Sequence, residues 1–214
     1  MNFIILGPAG SGKGTQAEFL IQKMNLFHID IGLALREVAQ EKSVFGKKID
    51  EIINKKKELV PDSMIKKVLE KKLRNISKKI GVIIDGAPRR AGQIDEVENG
   101  LAKFGRKLDK IIYVNIPLKE AIWRISKRYQ CSRCDARLVL NKDVKSPKST
   151  CPKCGGKIAR RMDDTPAGLK KRFSIFKQET LPVIEHYRKK KILIEVNGKN
   201  ESGIVFRDIM KKIT

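Results

Sequence analysis

Nine consecutive residues, Gly7-Pro-Ala-Gly-Ser-Gly-Lys-Gly-Thr15, constrain this chain more than any other feature of it. They satisfy the spacing G-x-x-x-x-G-K, follow an apolar run (Asn2–Leu6, NFIIL) and precede an amphipathic helical pattern. Strand, glycine-rich turn and helix in that order make a phosphate-binding loop. Its glycines let backbone N–H groups approach phosphate oxygens closely, and the helix N-terminus adds a favourable dipole. Gly10, Ser11, Gly12, Lys13, Gly14 and Thr15 are therefore the candidate cradle of a nucleoside triphosphate. In such a loop the lysine reaches the β- and γ-phosphates, and the hydroxyl of Thr15 faces Mg²⁺.

The strand-then-helix rhythm continues along the chain. Phe27–Asp30, Val82–Asp85, Ile111–Ile116 and Ile192–Val196 are short, apolar strand candidates. Between them the spacing predicts helices over Thr15–Met24, Gly32–Gln40, Lys47–Lys57, Asp62–Asn75, Gln93–Phe104 and Leu118–Tyr129. A long helix is expected from Thr165-Pro166, kinked or ended by Pro182, and a last one from about Ser202. The alternation predicts an α/β fold of three α/β/α layers around a parallel sheet, and 214 residues suit one such core with small insertions. Asp85 ends a strand near the phosphate loop, where it would hold Mg²⁺ through its water shell. No run of about 18 apolar residues exists. The first residues lack a basic stretch and their apolar run stops at Gly7, so a buried strand and a cytoplasmic location are expected.

The net charge of +23, from 47 Lys and Arg against 24 Asp and Glu, suits polyanionic partners. Much of the excess is lysine in short clusters (KKKEL, LEKKLRN, HYRKKKI) spaced as solvated helix faces. Arg36, Arg89, Arg124, Arg128, Arg161 and Arg172 stand outside those clusters, near segment ends or loops. Arginine offers planar, bidentate donors to phosphate that lysine cannot match.

One segment breaks the rhythm. Cys131-x-x-Cys134 and Cys151-x-x-Cys154 are separated by sixteen residues, the arrangement of a structural Zn²⁺ site, and the same cage accommodates iron. Disulfides are disfavoured in a cytoplasmic nucleotide enzyme. Little apolar residue content lies between the cysteines, so a metal rather than a hydrophobic core is expected to hold the segment together.

Three motifs together resemble the adenylate kinases, within the nucleoside monophosphate kinases. They are GPAGSGKGTQ with glycine after the lysine, Asp85-Gly86-Ala87-Pro88-Arg89 with Gln93 following, and Arg161-Met-Asp163-Asp164 with Arg172 following. The resemblance runs nearly end to end. It implies a core of residues 1–30, 61–128 and 164–214, a helical monophosphate-binding insertion at 31–60, and a small zinc-bound lid at 129–163. It also implies Mg-dependent transfer of the ATP γ-phosphoryl group to AMP by a monomer, giving two ADP. Lys13, Asp85, Arg89, Arg128, Arg161 and Arg172 would then be catalytic, with Asp163 and Asp164 orienting arginines. Ile31, Arg36, Leu59, Val60, Gly86, Arg89, Gln93, Arg161 and Arg172 would hold the monophosphate; Arg124, Lys199 and Asn200 would lie toward ATP. The lid would close over ATP and exclude water.

Some residues depart from the family's pattern. Asp30-Ile31-Gly32-Leu33-Ala34-Leu35-Arg36 stands where S-T-G-D-x-L-R is usual, and Ala87 replaces a phenylalanine. Gln93 favours an adenine edge, whereas a carboxylate at Asp30 suits the N1–H and N2–H of guanine. UMP, CMP and GMP therefore stay open as acceptors. The lid carries Arg137-Leu138-Val139 where a Tyr-His pair is usual. A reading of another class is a P-loop ATPase whose zinc ribbon and basic surface engage nucleic acid. Against it stand an aromatic content of 6% and knuckles without stacking aromatics. No helix pairs a basic face with a broad aromatic one, which argues against membrane association.

Overall fold

A computed structural model describes residues 1–56, 60–134, 136–160 and 164–213. Leu59, Arg161 and Asp163, singled out above, lie outside the described residues. The first half of the chain runs β1 (Asn2–Leu6), α1 (Lys13–Met24), β2 (Phe27–Asp30), α2 (Ile31–Ala39), α3 (Val44–Asp50) and α4 (Asp62–Leu73). It continues with β3 (Val82–Asp85), α5 (Gln93–Lys103), β4 (Lys110–Asn115) and α6 (Leu118–Ser126). Three short strands follow, β5 (Arg128–Cys131), β6 (Arg137–Val139) and β7 (Ile158–Ala159). The chain closes with α7 (Pro166–Ile175), α8 (Leu181–Lys189), β8 (Leu193–Asn197) and α9 (Ser202–Ile213).

The central sheet has the order β2-β3-β1-β4-β8, and every neighbouring pair is parallel. Strands accrue on both sides of β1, so the order reverses there and a crevice opens beyond its carboxyl end. Alternation along the strands assigns the two faces. Ile4, Leu6, Ile84 and Tyr113 join the core beneath α2 to α5 and α8. Phe3, Ile5, Ile83, Ile112 and Val114 join the core beneath α1 and α9. Both faces are covered, which is why these strands read as nearly unbroken apolar runs. Each fully buried isoleucine here contributes about 2–3 kcal/mol.

The differences from the expected elements have local causes. The third helix begins at Val44 rather than Lys47 because Ser43 Oγ accepts the Gly46 N–H at 3.0 Å. A π turn, Glu51–Lys56, follows it. The helix expected to reach Tyr129 stops at Ser126, since Tyr129 leaves it to pair with Leu138. Thr165 caps α7 through its Oγ1, which accepts the Gly168 N–H at 3.1 Å. The interruption in that long helix is a π turn, Phe176–Thr180, just before Pro182. In an unbroken α-helix the proline ring would press on the carbonyl of Gln178, and the wider turn relieves this.

Residues 128–159 form a separate module, an antiparallel sheet of order β6-β5-β7. The expectation that it lacks a hydrophobic core needs correcting. Tyr129, Ala136, Leu138 and Val144 pack with the buried Cys131 and Cys151 into a small cluster of their own. Arg106, which drew no attention in the sequence, is buried and donates to the carbonyls of Ile76 (3.1 Å), Ser77 (2.7 Å) and Ile80 (2.7 Å). It closes the end of the α4 region with charge-assisted bonds.

Candidate active site

The phosphate loop turns between β1 and α1. Gly10 (φ 82°) and Gly12 (φ 90°) occupy left-handed backbone that side chains resist. Gly12 caps α1 without a side-chain bond, so the first amides of the helix stay open to an anion. Lys13 begins the helix. Burial lowers its pKa; Asp85 opposes this, while Arg89, Arg137 and Arg172 add to it. These five side chains therefore converge on one place. Asp85 ends β3 and is only 3% exposed, whereas Thr15 is exposed in the first turn of α1. A hydroxyl and a carboxylate beside a phosphate loop are oxygen donors of the kind a hard divalent cation takes.

A cavity of about 320 Å³ adjoins the loop. Gly7, Lys13, Ile31, Gly32, Val60, Gly86, Arg89, Gln93 and Arg172 line it, with Leu35, Ile53 and Phe176 supplying apolar wall. Arg89 is anchored at both ends: its Nε donates to the Gly86 carbonyl at 2.9 Å, and its own carbonyl accepts from Thr180 Oγ1 at 2.8 Å. Its backbone N–H donates to Gln93 Oε1 at 2.7 Å. Because that partner is a donor, the amide of Gln93 is oriented, and its NH₂ is left for the cavity. Arg36 extends over Gly32, whose added Cβ would lie 3.6 Å from Nη1. Arg90, another residue the sequence did not single out, ties Asp62 (2.7 Å) and the Val60 carbonyl (3.1 Å) into this wall.

Asp30 does not stand free for a base. Its Oδ1 caps α2 by accepting the Leu33 N–H at 2.9 Å, and its Oδ2 accepts from Arg137 Nη2 at 3.1 Å. On the other side of the loop, Arg124 donates from Nε to Glu120 Oε1 at 2.6 Å and from Nη2 to the Lys199 carbonyl at 3.2 Å. That bond brings the Asn197–Asn200 turn toward the phosphate loop. Arg128 reaches out of β5 to Asp164, which also accepts from Arg172 Nη1 at 3.0 Å.

The four cysteines form one cluster, with every pair of sulfurs within 4.8 Å. Cys131 and Cys154 sulfurs are 3.5 Å apart, and those of Cys134 and Cys151 are 3.7 Å apart. A tetrahedron of Zn–S bonds has edges of about 3.8 Å, so the cage fits a single ion. Burial alone would raise the Cys131 thiol, but N–H groups of Arg133 and Cys134 and the neighbouring sulfurs outweigh it and hold it down at about 6. Cys134 accepts the Ala136 N–H, yet the surrounding thiols and burial push it up to about 12.

Comparison with known proteins agrees with this architecture. The family model described as adenylate kinase matches residues 5–192. A protein named adenylate kinase from Thermosipho africanus is 36% identical over 215 residues, covering 100% of this chain and 99% of that protein. One of the same name from Methanocella arvoryzae is 34% identical over 213 residues, covering 100% and 98% respectively. Another, from Archaeoglobus fulgidus, is 36% identical over 209 residues, covering 98% and 96%. With the loop, the arginines and the cysteine cage in place on a parallel α/β core, this chain belongs to the adenylate kinase family.

Proposed function

We propose that the chain is a nucleoside monophosphate kinase that transfers the γ-phosphoryl group of ATP to AMP, reversibly giving two ADP. One observation carries this reading: Lys13 of the phosphate loop lines the same cavity as Arg89, Arg172 and Gln93. A donor phosphate and an acceptor phosphate can therefore meet over one set of cations. Phosphoryl transfer needs positioning and stabilisation of spread negative charge far more than it needs a base.

In this reading Lys13 and the α1 amides bind the donor phosphates. Arg36 and Arg89 bind the acceptor phosphate, and Arg128 and Arg172, with Arg161, gather around the transferred group. Asp164 keeps two of those arginines apart and aimed. Arg124 with Lys199 and Asn200 supports the donor nucleoside. Ile31, Val60 and Gly86, with Leu59, wall the acceptor base, toward which Gln93 presents its amide NH₂. That donor matches N1 of adenine, and Asp30, already committed twice, is not offered to guanine.

Mg²⁺ bound with ATP would neutralise triphosphate charge, held by Thr15 and, through water, by Asp85. Zn²⁺ fits the thiolate cage with all four positions filled, which makes its role structural. Residues 31–60 then act as the monophosphate-binding domain and 129–163 as a lid on the remaining core. A monomer working in the cytoplasm goes with the family resemblance.

The test is inhibition by diadenosine pentaphosphate beside assays with ATP and each of AMP, GMP, UMP and CMP. Tight inhibition with AMP as the best acceptor is expected. Weak inhibition beside good transfer to another monophosphate would refute the adenine acceptor, and no transfer to any of them would refute the kinase.

A further inference from the structure

Arg137 has a place that no role described so far uses. It lies on β6, where residues alternate: Leu138 enters the core of the cysteine module, while Arg137 and Val139 face outward. In the β5–β6 ladder Arg128 is opposite Val139 and Gln130 is opposite Arg137. Arg128 and Arg137 therefore emerge from the same face of this small sheet. Each is held by a carboxylate from outside the sheet, Arg128 by Asp164 and Arg137 by Asp30.

The guanidinium of Arg137 rests on the phosphate loop itself. A Cβ added to Gly14 would meet its Nη1, so the guanidinium lies directly against the first turn of α1. Its charge also reaches Lys13. Asp85 lies beside Lys13, and Asp164 is occupied by Arg128 and Arg172, so among the described residues Asp30 is the carboxylate that balances Arg137. That balance is slight. The contact is a single 3.1 Å bond, the Arg137 side chain is 48% exposed, and the other oxygen of Asp30 is spent on the α2 cap. A phosphate offers the guanidinium two parallel, charge-assisted bonds where Asp30 offers one.

We propose that Arg137 is an additional binding residue for the donor triphosphate, delivered by the cysteine module and held at the loop by Asp30 until a triphosphate takes it over. This rests on the reading of the loop as the ATP site. It assigns Asp30 the part of a competing counterion, which ties donor binding to the N-cap of the acceptor-side helix α2. The residue at 137 then replaces, with charge, some of the contact that the missing Tyr-His pair would make.

Calorimetric titration of the zinc-loaded full chain tests this, with ATP and with inorganic tripolyphosphate as a probe lacking a base. Arg137→Ala should weaken both ligands about tenfold, with AMP affinity changed less than about twofold. Arg137→Lys should recover only part of the loss, because it cannot bond bidentately. Asp30→Asn keeps the helix cap and removes the competing charge. It should tighten ATP about threefold in the wild-type background and have no effect on ATP when Arg137 is alanine. Wild-type ATP affinity in Arg137→Ala overturns the proposal, as does an Asp30→Asn effect that persists without Arg137. The two readings fail separately: a chain that transfers no phosphoryl group sinks the kinase, while the tripolyphosphate titration still decides the role of Arg137.

Discussion

Arg128 grips Asp164 with both arms of its guanidinium, Nε to Oδ2 at 3.0 Å and Nη2 to Oδ1 at 2.6 Å, while the carboxylate is 1% exposed. Arg172 shares the same oxygen Oδ1 at 3.0 Å. One buried acid therefore spaces two cations that would otherwise repel. Asp164→Asn should lower kcat about a hundredfold, with a smaller effect on the KM for ATP. It should also cost about 1–3 kcal/mol in urea unfolding. An unchanged kcat would remove Asp164 and its arginines from the transfer step.

Lys13→Met should reduce kcat/KM by about a thousandfold, measured in coupled assays. Its effect on stability should have the opposite sign. A cation with a folded-state pKa below its unfolded value of 10.5 disfavours folding as long as it is charged. That penalty is full below the lowered pKa and fades as the pH rises toward 10.5. Lys13→Met should therefore raise Tm at neutral pH, and the gain should shrink at alkaline pH. A variant less stable than wild type at pH 7 would contradict the electrostatic account of the loop.

The cysteine module has six buried residues in its core, two of them cysteines, which is too few to hold three short strands unaided. Elemental analysis should find about one Zn per chain, and chelation should lower Tm by several degrees. Cys151→Ala should reproduce the chelated state and be insensitive to further chelator. Metal-free protein with an unchanged melting curve would show that the cage is not structural.

Gln93 is 5% exposed and its Oε1 is occupied by the Arg89 N–H, so its NH₂ is the group left to read the acceptor in the proposed reaction. Gln93→Leu should raise the KM for AMP about tenfold and leave that for ATP nearly unchanged. Equal effects on both substrates would place Gln93 outside the acceptor site.

Arg106 is buried and donates to three backbone carbonyls, of which that of Ile76 is buried. Arg106→Leu should destabilise the fold by about 3 kcal/mol, read from urea midpoints, with transfer at low temperature unaffected. A loss below about 0.5 kcal/mol would mean that water replaces the guanidinium.

Much of this molecule is legible in its sequence because the signals are local. The loop, the strands Asn2–Leu6, Phe27–Asp30 and Val82–Asp85, and the paired cysteine knuckles each declare themselves within a few residues. What stayed hidden depends on distance along the chain. Arg137 and Asp30 are 107 residues apart, and nothing near either announces the other. Arg106 resembles a surface cation until three carbonyls are folded around it. Tyr129 continued a helical pattern, yet the cross-strand partner Leu138 decided its state. The π turns were hidden for another reason: their cause at Phe176–Thr180 is a proline that by itself predicts only some break.

That π turn sets the rotational phase of one long helix. Arg172 and Val183 are eleven residues apart, so an unbroken α-helix would point them within about 20° of each other. One stripe would then have to serve both the arginine cluster and the interior where Val183, Ile184 and Tyr187 pack. Each residue taken up by the wider turn rotates one half of the helix against the other by about 100°. Deleting Lys177 or Gln178 would remove no group that lines the cavity, yet it would turn Arg172 away from Asp164.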